Sequence, residues 1–302
     1  MQHSLNPTRR SFFGMMGAAT LGPLLAARTM RGEGPSPRAG AFAPDIGVCT
    51  SASNAGTLRE AGAGYIEEGV RRLLVPDQPE AAFAARREAA KACGLPITAA
   101  NGFLPGSLKC VGPEANHERV LAFAEAAFRR ASRVGIRTIV FGSSGARSIP
   151  EGFDRRKAEL QFVALLGKMA VLARRENVVV AVEPLNRGET NFINSVEEGA
   201  ALVQCVQHPN VGLTADIFHM LRESEPAGHI RRAGAFIRHV HIAEKRKRTA
   251  PGVDGDDFAP YLQALKDIKY TGPISIECRW DDLSQQLPVA VRTLTEQLAG
   301  LS

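Results

Sequence analysis

The sequence predicts an α/β fold of one kind, a single (β/α)8 TIM barrel over residues 45–302. Length is the first ground: 302 residues suit one large domain, since such barrels run to about 250 residues. Rhythm is the second, because short β-branched runs alternate eight times with longer stretches of helical period. The third is the lack of any Gly-x-Gly-x-x-Gly turn or P-loop, the usual marks of nucleotide-binding α/β sheets. Hydrophobic residues make up 44% and charged residues 23% of the chain, which excludes disordered, collagen-like and polytopic membrane classes.

Taken in order, residues 1–44 read as an address followed by a linker. Thr8-Arg9-Arg10-Ser11-Phe12-Phe13 precedes an apolar run, 14–27, too short to span a bilayer, which takes about 20 residues, but suited to a signal peptide. The paired arginines resemble a twin-arginine export signal. That resemblance implies a folded protein with its cofactor already loaded, delivered to the periplasm through transient contact with the export machinery and with no stable membrane anchor. Small-residue cleavage sites follow at Ala39-Gly40-Ala41 and Ala41-Phe42-Ala43. The net charge of +6 is largely the leader's, since Arg9, Arg10, Arg28, Arg31 and Arg38 face only Glu33 there and the rest of the chain is +2. No electrostatic footprint for nucleic acid remains. Cys49, Cys93, Cys110, Cys205 and Cys278 are scattered without a Cys-x-x-Cys pair, so neither a disulfide framework nor a zinc ribbon is expected.

Strands are predicted at 46–50, 65–70, 96–100, 136–141, 178–183, 211–216, 237–242 and 273–277, each a short run rich in Val, Ile, Thr or Tyr. Helices are predicted between them at 53–62, 79–93, 114–134, 154–176, 195–207, 226–234, 257–270 and 282–299. Gly94-Leu95-Pro96 stops the second helix, and Ser195 with Glu198 forms a capping box on the fifth.

Chemistry in such barrels sits at the C-terminal ends of the strands. Four late strands end in metal-ligand types there: Glu183, Asp216, His241 and Glu277. One acid at a strand end reads as readily as a helix cap. Four at one depth converge on a point, and buried carboxylates demand a partner. Two Glu, one Asp and one His suit a single divalent ion, manganese foremost, with magnesium, cobalt or zinc compatible. His219, three residues past Asp216, is placed on the following loop within reach of a substrate. His239 and His241 alternate around Val240, so both face inward, with His239 two residues deeper as a supporting or core histidine. One of Glu67 and Glu68 faces inward, toward either a substrate hydroxyl or a loop salt bridge. Phe141-Gly142-Ser143-Ser144-Gly145 has the composition of a phosphate loop but lacks its Lys, so it is read as a flexible connection.

Glu183-Pro184-Leu185-Asn186-Arg187, Asp216-Ile217-Phe218-His219-Met220, His239-Val240-His241 and Ile274-Ser275-Ile276-Glu277, in that order, resemble the sugar isomerase/epimerase group of xylose isomerase-like barrels. D-tagatose 3-epimerase and hydroxypyruvate isomerase belong to that group. The resemblance runs from residue 45 to about 295. It implies a metal held by Glu183, Asp216, His241 and Glu277, proton exchange by Glu183 and Glu277, and substrate-hydroxyl contacts from His219 and Glu189. The group's basic contact, six residues beyond the metal histidine, falls on Lys247, and Arg248 one further on is favoured.

Inverting or isomerising a carbon beside a carbonyl requires removal of a weakly acidic C–H proton, and a metal on the carbonyl and adjacent hydroxyl stabilises the resulting enediolate. Two carboxylates on opposite sides give epimerisation, and one alone gives aldose–ketose exchange. Elimination from a 3-keto-glycoside starts with the same step, so a lyase is the runner-up. An endonuclease IV-like reading would need further His ligands on early strands, and Asp254-Gly255-Asp256 stands where that class carries Asp-x-His. A non-catalytic sugar-binding barrel would be favoured by loss of Glu183 or Glu277, and both are present. The expected partner is thus a small sugar or keto-sugar and not nucleic acid, with homo-oligomerisation left open. If the arginine pair is a receptor-read address, Arg9→Lys with Arg10→Lys leaves folded, active protein in the cytoplasm, scored by fractionation. Normal periplasmic delivery of the double variant would refute the assignment.

Overall fold

The eight apolar runs form eight parallel strands because each is followed by a helix long enough to return the chain to the starting edge of the sheet. The computed structural model describes residues 42–301, and the leader expected upstream lies outside the described residues. The strands are β1 (Ile46–Cys49), β2 (Tyr65–Gly69), β3 (Ile97–Asn101), β4 (Thr138–Phe141), β5 (Val179–Val182), β6 (Val211–Asp216), β7 (Ile237–Ile242) and β8 (Ile274–Ile276). They pair in chain order, and β1 closes on β8 to complete the barrel.

Outside the strands lie α1 (Ala55–Glu60), α2 (Glu80–Ala92), α3 (His117–Ser132), α4 (Ser144–Arg147), α5 (Arg155–Arg175), α6 (Val196–Val206), α7 (Ile217–Arg222), α8 (Gly228–Ala233), α9 (Ala259–Asp267) and α10 (Leu283–Ala299). Asn116, Asp154, Ser195 and Asp282 cap their helices with side-chain acceptors. Two helices, α4 and α7, and a π-helical turn at Val70–Leu74 were not anticipated. Helix α4 corrects the expectation of a flexible 141–145 connection. Its Ser-Gly start has poor helix propensity, and its position is fixed instead by contacts such as Leu104 N donating to Ser143 Oγ at 2.9 Å. Helix α7 starts where strand residues end, because Asp216 Oδ1 accepts from His219 N at 3.2 Å and serves as the N-cap.

Between sheet and helices, Phe103, Phe141, Phe162 and Phe192 form a chain of rings 5.4–5.5 Å apart. All four are fully buried, so one side of the barrel is held by aromatic packing. Inside, the lower level is tight. A Cβ on Gly47 would collide with the ring of Tyr65, whose hydroxyl is 2.7 Å from Ser275 Oγ. Gly47→Ala should therefore cost about 1–3 kcal/mol by overpacking. The check is a lowered urea midpoint at unchanged m-value, and an unaltered midpoint would show that the barrel floor yields freely.

Candidate metal centre and its cavity

Backbone pairing brings the four strand-end residues to one level. Glu183 extends β5, its N–H donating to Phe141 O at 3.2 Å, and Glu277 extends β8 in the same way onto Ile242 O at 3.1 Å. Asp216 lies beside His241 in the β6–β7 register. One ligand atom from each of Glu183, Asp216, His241 and Glu277 can be chosen with all four within 4.8 Å of one another. Glu183 Oε1 and Glu277 Oε2 each stand 2.8 Å from His241 Nδ1, and Asp216 Oδ2 stands 3.9 Å from it.

Beneath this ring lies Glu67, fully buried. Its Oε1 is 2.9 Å from His241 Nε2, its Oε2 is 2.6 Å from His239 Nε2, and Ser275 Oγ donates to Oε2 at 2.6 Å. Burial alone would raise the Glu67 carboxyl, but His241 and His239 hold it well below the usual carboxylate range. Burial alone would likewise depress His241, and Glu67 with Glu277 lifts it well above the usual histidine range. Glu67 thus turns the Nδ1 side of His241 toward the three carboxylates, the carboxylate–histidine arrangement typical of metal ligands. Three carboxylates meeting in a low-dielectric pocket repel one another. Burial, with Glu277 and Asp216 adding to it, raises Glu183 despite its bond to His241. This crowding of hard oxygen donors around one imidazole fits a divalent cation. Cys49 forms a second, sulfur-containing group with Glu67 and His241, its Sγ 3.9 Å from His241 Nε2.

Around the ring, Arg248 donates through Nη2 to Asp216 Oδ2 at 3.0 Å and to Glu277 Oε2, and through Nε to Glu277 O at 2.9 Å. Asn101 Nδ2 donates to the other Glu277 oxygen at 3.0 Å. Asn186 N donates to His219 Nδ1 at 3.1 Å, which makes Nδ1 the acceptor and, in the neutral ring, leaves the proton on Nε2. That Nε2 is buried without a hydrogen-bond partner, and His219 lines the cavity. Glu189, exposed at the rim, accepts from Asn186 Nδ2 at 3.0 Å. Gly142 is required at its place, because a Cβ there would strike the Glu183 carboxylate. Arg147 is wholly buried and bonds Glu183 O at 2.5 Å, and burial lowers it to about 10. The cavity above holds about 330 Å³, and its lining includes Gly102, Gly106 and Gly145 together with His219, Arg248 and Glu277.

All seven residues singled out from the sequence, Glu183, Glu189, Asp216, His219, His241, Arg248 and Glu277, border this centre or its cavity. Arg248 rather than Lys247 enters it, and Lys247 is exposed. His219 sits in α7 and not on a loop, for the capping reason given above. Of the β2 pair, Glu67 reaches neither a substrate hydroxyl nor a loop cation. Its place under His241 corrects that expectation, because the inward face of β2 at this level meets β7 across the barrel. Glu68 is the one that forms the loop salt bridge, with Arg72. Asp254 and Asp256 are taken up by Arg246 and by Lys245 N and join no metal-capable group among the described residues. Asn101, Gly142 and Arg147 were missed. An Asn ending the third strand and a Gly right after the fourth were the available signals.

The family profile described as Xylose isomerase-like TIM barrel matches residues 56–298. The chain belongs to the xylose isomerase-like TIM barrel family. Within that family it is 36% identical over 123 residues to an L-ribulose 3-epimerase of Methylomonas sp. (strain DH-1), covering 40% of this chain and 43% of the relative. It is 29% identical over 208 residues to a D-psicose 3-epimerase of Agrobacterium fabrum (strain C58 / ATCC 33970), covering 67% of this chain and 71% of the relative. The apo crystal structure of a 3-keto-D-glucoside 4-epimerase from E. coli superposes with a TM-score of 0.71 at 22% identity, over 84% of this chain and all of the other. The chain thus spans less than half of the first of these relatives, and the structural likeness shows the barrel fold of the family.

Isothermal titration of metal-free protein with Mn²⁺ should give about one site per chain, and Asp216→Ala should abolish it without unfolding, since this ring lies at the rim and not in the packed layers. Glu67→Gln should weaken the same site roughly 10–100-fold by releasing His241. Unchanged affinity would make Glu67 a packing residue only.

Proposed function

We propose that this protein is a metal-dependent sugar epimerase or isomerase that moves a proton at a carbon beside a carbonyl. The observation that carries the reading is the pair of carboxylates, Glu183 from the end of β5 and Glu277 from the end of β8, each 2.8 Å from the same imidazole nitrogen. Sequence relatives named as ketose 3-epimerases support the substrate class.

Glu183, Asp216, His241 and Glu277 would hold the ion, with manganese the best match to three carboxylates and one imidazole. Bound there, a divalent ion would polarise a carbonyl oxygen and stabilise an enediolate. The protein's own groups do the rest. Glu183 and Glu277 approach from two different strands, so one can take the proton from carbon while the other returns it to the opposite face. Asn101 and Arg248 occupy the two oxygens of Glu277, which fixes the carboxylate plane. His219 Nε2 stands 3.4 Å from Asp216 Oδ2 without a hydrogen bond in the protein, and facing the cavity it is assigned to a substrate oxygen. Glu189 and Arg248 border the same space and are assigned to substrate hydroxyls.

Proton NMR of ketoses, aldoses and 3-keto-glycosides in D₂O with Mn²⁺-loaded protein tests the reading. Deuterium should enter at a carbon beside the carbonyl of a ketose, with inversion. Release of an aglycone from a 3-keto-glycoside would replace this reading with elimination. Glu277→Gln, assayed at saturating metal, should lower turnover by about 10²–10⁴-fold, the usual worth of a positioned proton carrier. Wild-type turnover in that variant would reduce Glu277 to a ligand and sink the two-carboxylate scheme.

A further inference from the structure

The loop from Glu244 to Asp256, between β7 and α9, delivers Arg248 to the metal centre, and it does so in an unfavourable backbone form. Lys247 and Arg248 both have positive φ, 56° and 59°, a region that side chains other than Gly rarely occupy. Two such residues in succession persist only where the surroundings over-determine them. One carboxylate gathers three of the loop's backbone amides, Gly252, Asp254 and Gly255, beside Arg279 N donating to Arg248 O at 2.8 Å and the Arg246–Asp254 pair. Glu244, three residues past His241, is fully buried. Its Oε1 accepts from Gly252 N at 2.7 Å and Gly255 N at 3.0 Å, and its Oε2 accepts from Asp254 N, while the Thr249 hydroxyl lies 3.2 Å from that Oε2 and 2.7 Å from Asp254 Oδ2. Its own N–H donates to Thr249 O at 3.0 Å, closing the turn that contains Lys247 and Arg248. The Arg248 guanidinium then lies 4.6 Å over the ring of Phe218 and reaches Asp216 and Glu277.

We propose that Glu244 is a positioning residue, a buried clasp that holds the loop in the one shape presenting Arg248 to Asp216 and Glu277. A carboxylate held by three backbone amides is satisfied only while the loop is closed, so opening the loop would strand a buried charge. Glu244 thus adds to the bonds that Arg248 itself makes to Asp216 and Glu277 in balancing the two left-handed residues. Only the kinetic part of this inference rests on the proposed sugar chemistry.

The test combines hydrogen exchange with a double-mutant cycle on Mn²⁺ affinity. In Glu244→Ala, the amides of Gly252, Asp254 and Gly255 should exchange roughly ten- to a hundred-fold faster. The variant should shift the Mn²⁺ dissociation constant in the same direction as Arg248→Ala, and the double variant should shift it no further than Arg248→Ala alone. Glu244→Gln, which keeps one carbonyl acceptor for Gly252 and Gly255, should restore part of both effects, and it serves as the working variant if Glu244→Ala does not fold. Unchanged exchange, or factors that multiply in the double variant, would overturn the clasp. Neither measurement uses a sugar, so a wild-type protein inactive on every ketose would defeat the functional reading and leave this one standing. With an active sugar, kcat/KM should follow the same non-additive pattern.

Discussion

A charge taken out of water at the floor of the barrel's open end constrains everything above it. The Glu67 carboxylate has no solvent, and removing such an ion from water costs several kcal/mol before pairing. It is offset by two imidazoles and a hydroxyl, His239, His241 and Ser275. Because Glu67 occupies the Nε2 side of His241, the Nδ1 side must face the rim, and Glu183 and Glu277 meet it there. Tyr65, packed on Gly47 and bonded to Ser275, closes the floor from below. The orientation of His241 is thereby tied to packing two residues deeper in the barrel.

Above that floor the problem is an excess of negative charge. Glu183, Asp216 and Glu277 face His241, His219 and Arg248, with Arg147 behind the Glu183 backbone. Burial raises Asp216 by itself, yet His219, Arg248 and His241 together hold it below the usual range, while Glu183 is left above it. Two chemically similar carboxylates in one ring are thus unequal before any substrate binds. A divalent cation held there would relieve the repulsion. The glycines at 102, 106, 142 and 145 leave room in the cavity that the charged side chains also line.

What the sequence showed about the site follows from the period of a strand. An acid or histidine that ends a run of apolar β residues sits at the rim of a barrel whatever its neighbours are, so Glu183, Asp216, His241 and Glu277 were legible from position alone. His239 was legible as a deeper group by the same alternation. Glu67 was visible on β2, but its partner lies 172 residues away, and no local pattern connects them. Helix α7 was hidden because Asp216 serves as the last strand residue and the helix cap at once, and a reading by segments gives a residue only one of those roles.

The sequence by itself therefore determined the eightfold alternation, the closed parallel barrel and the ring of strand-end carboxylates and histidine, because hydrophobic periodicity and helix capping act over a few residues. Only the tertiary structure decided which of Lys247 and Arg248 enters the site, that Glu67 lies beneath His241 rather than in the cavity, and that Gly142 must lack a side chain beside Glu183. These are contacts across the barrel or across a folded loop. Their energy depends on distances that the chain acquires only when all eight strands have closed.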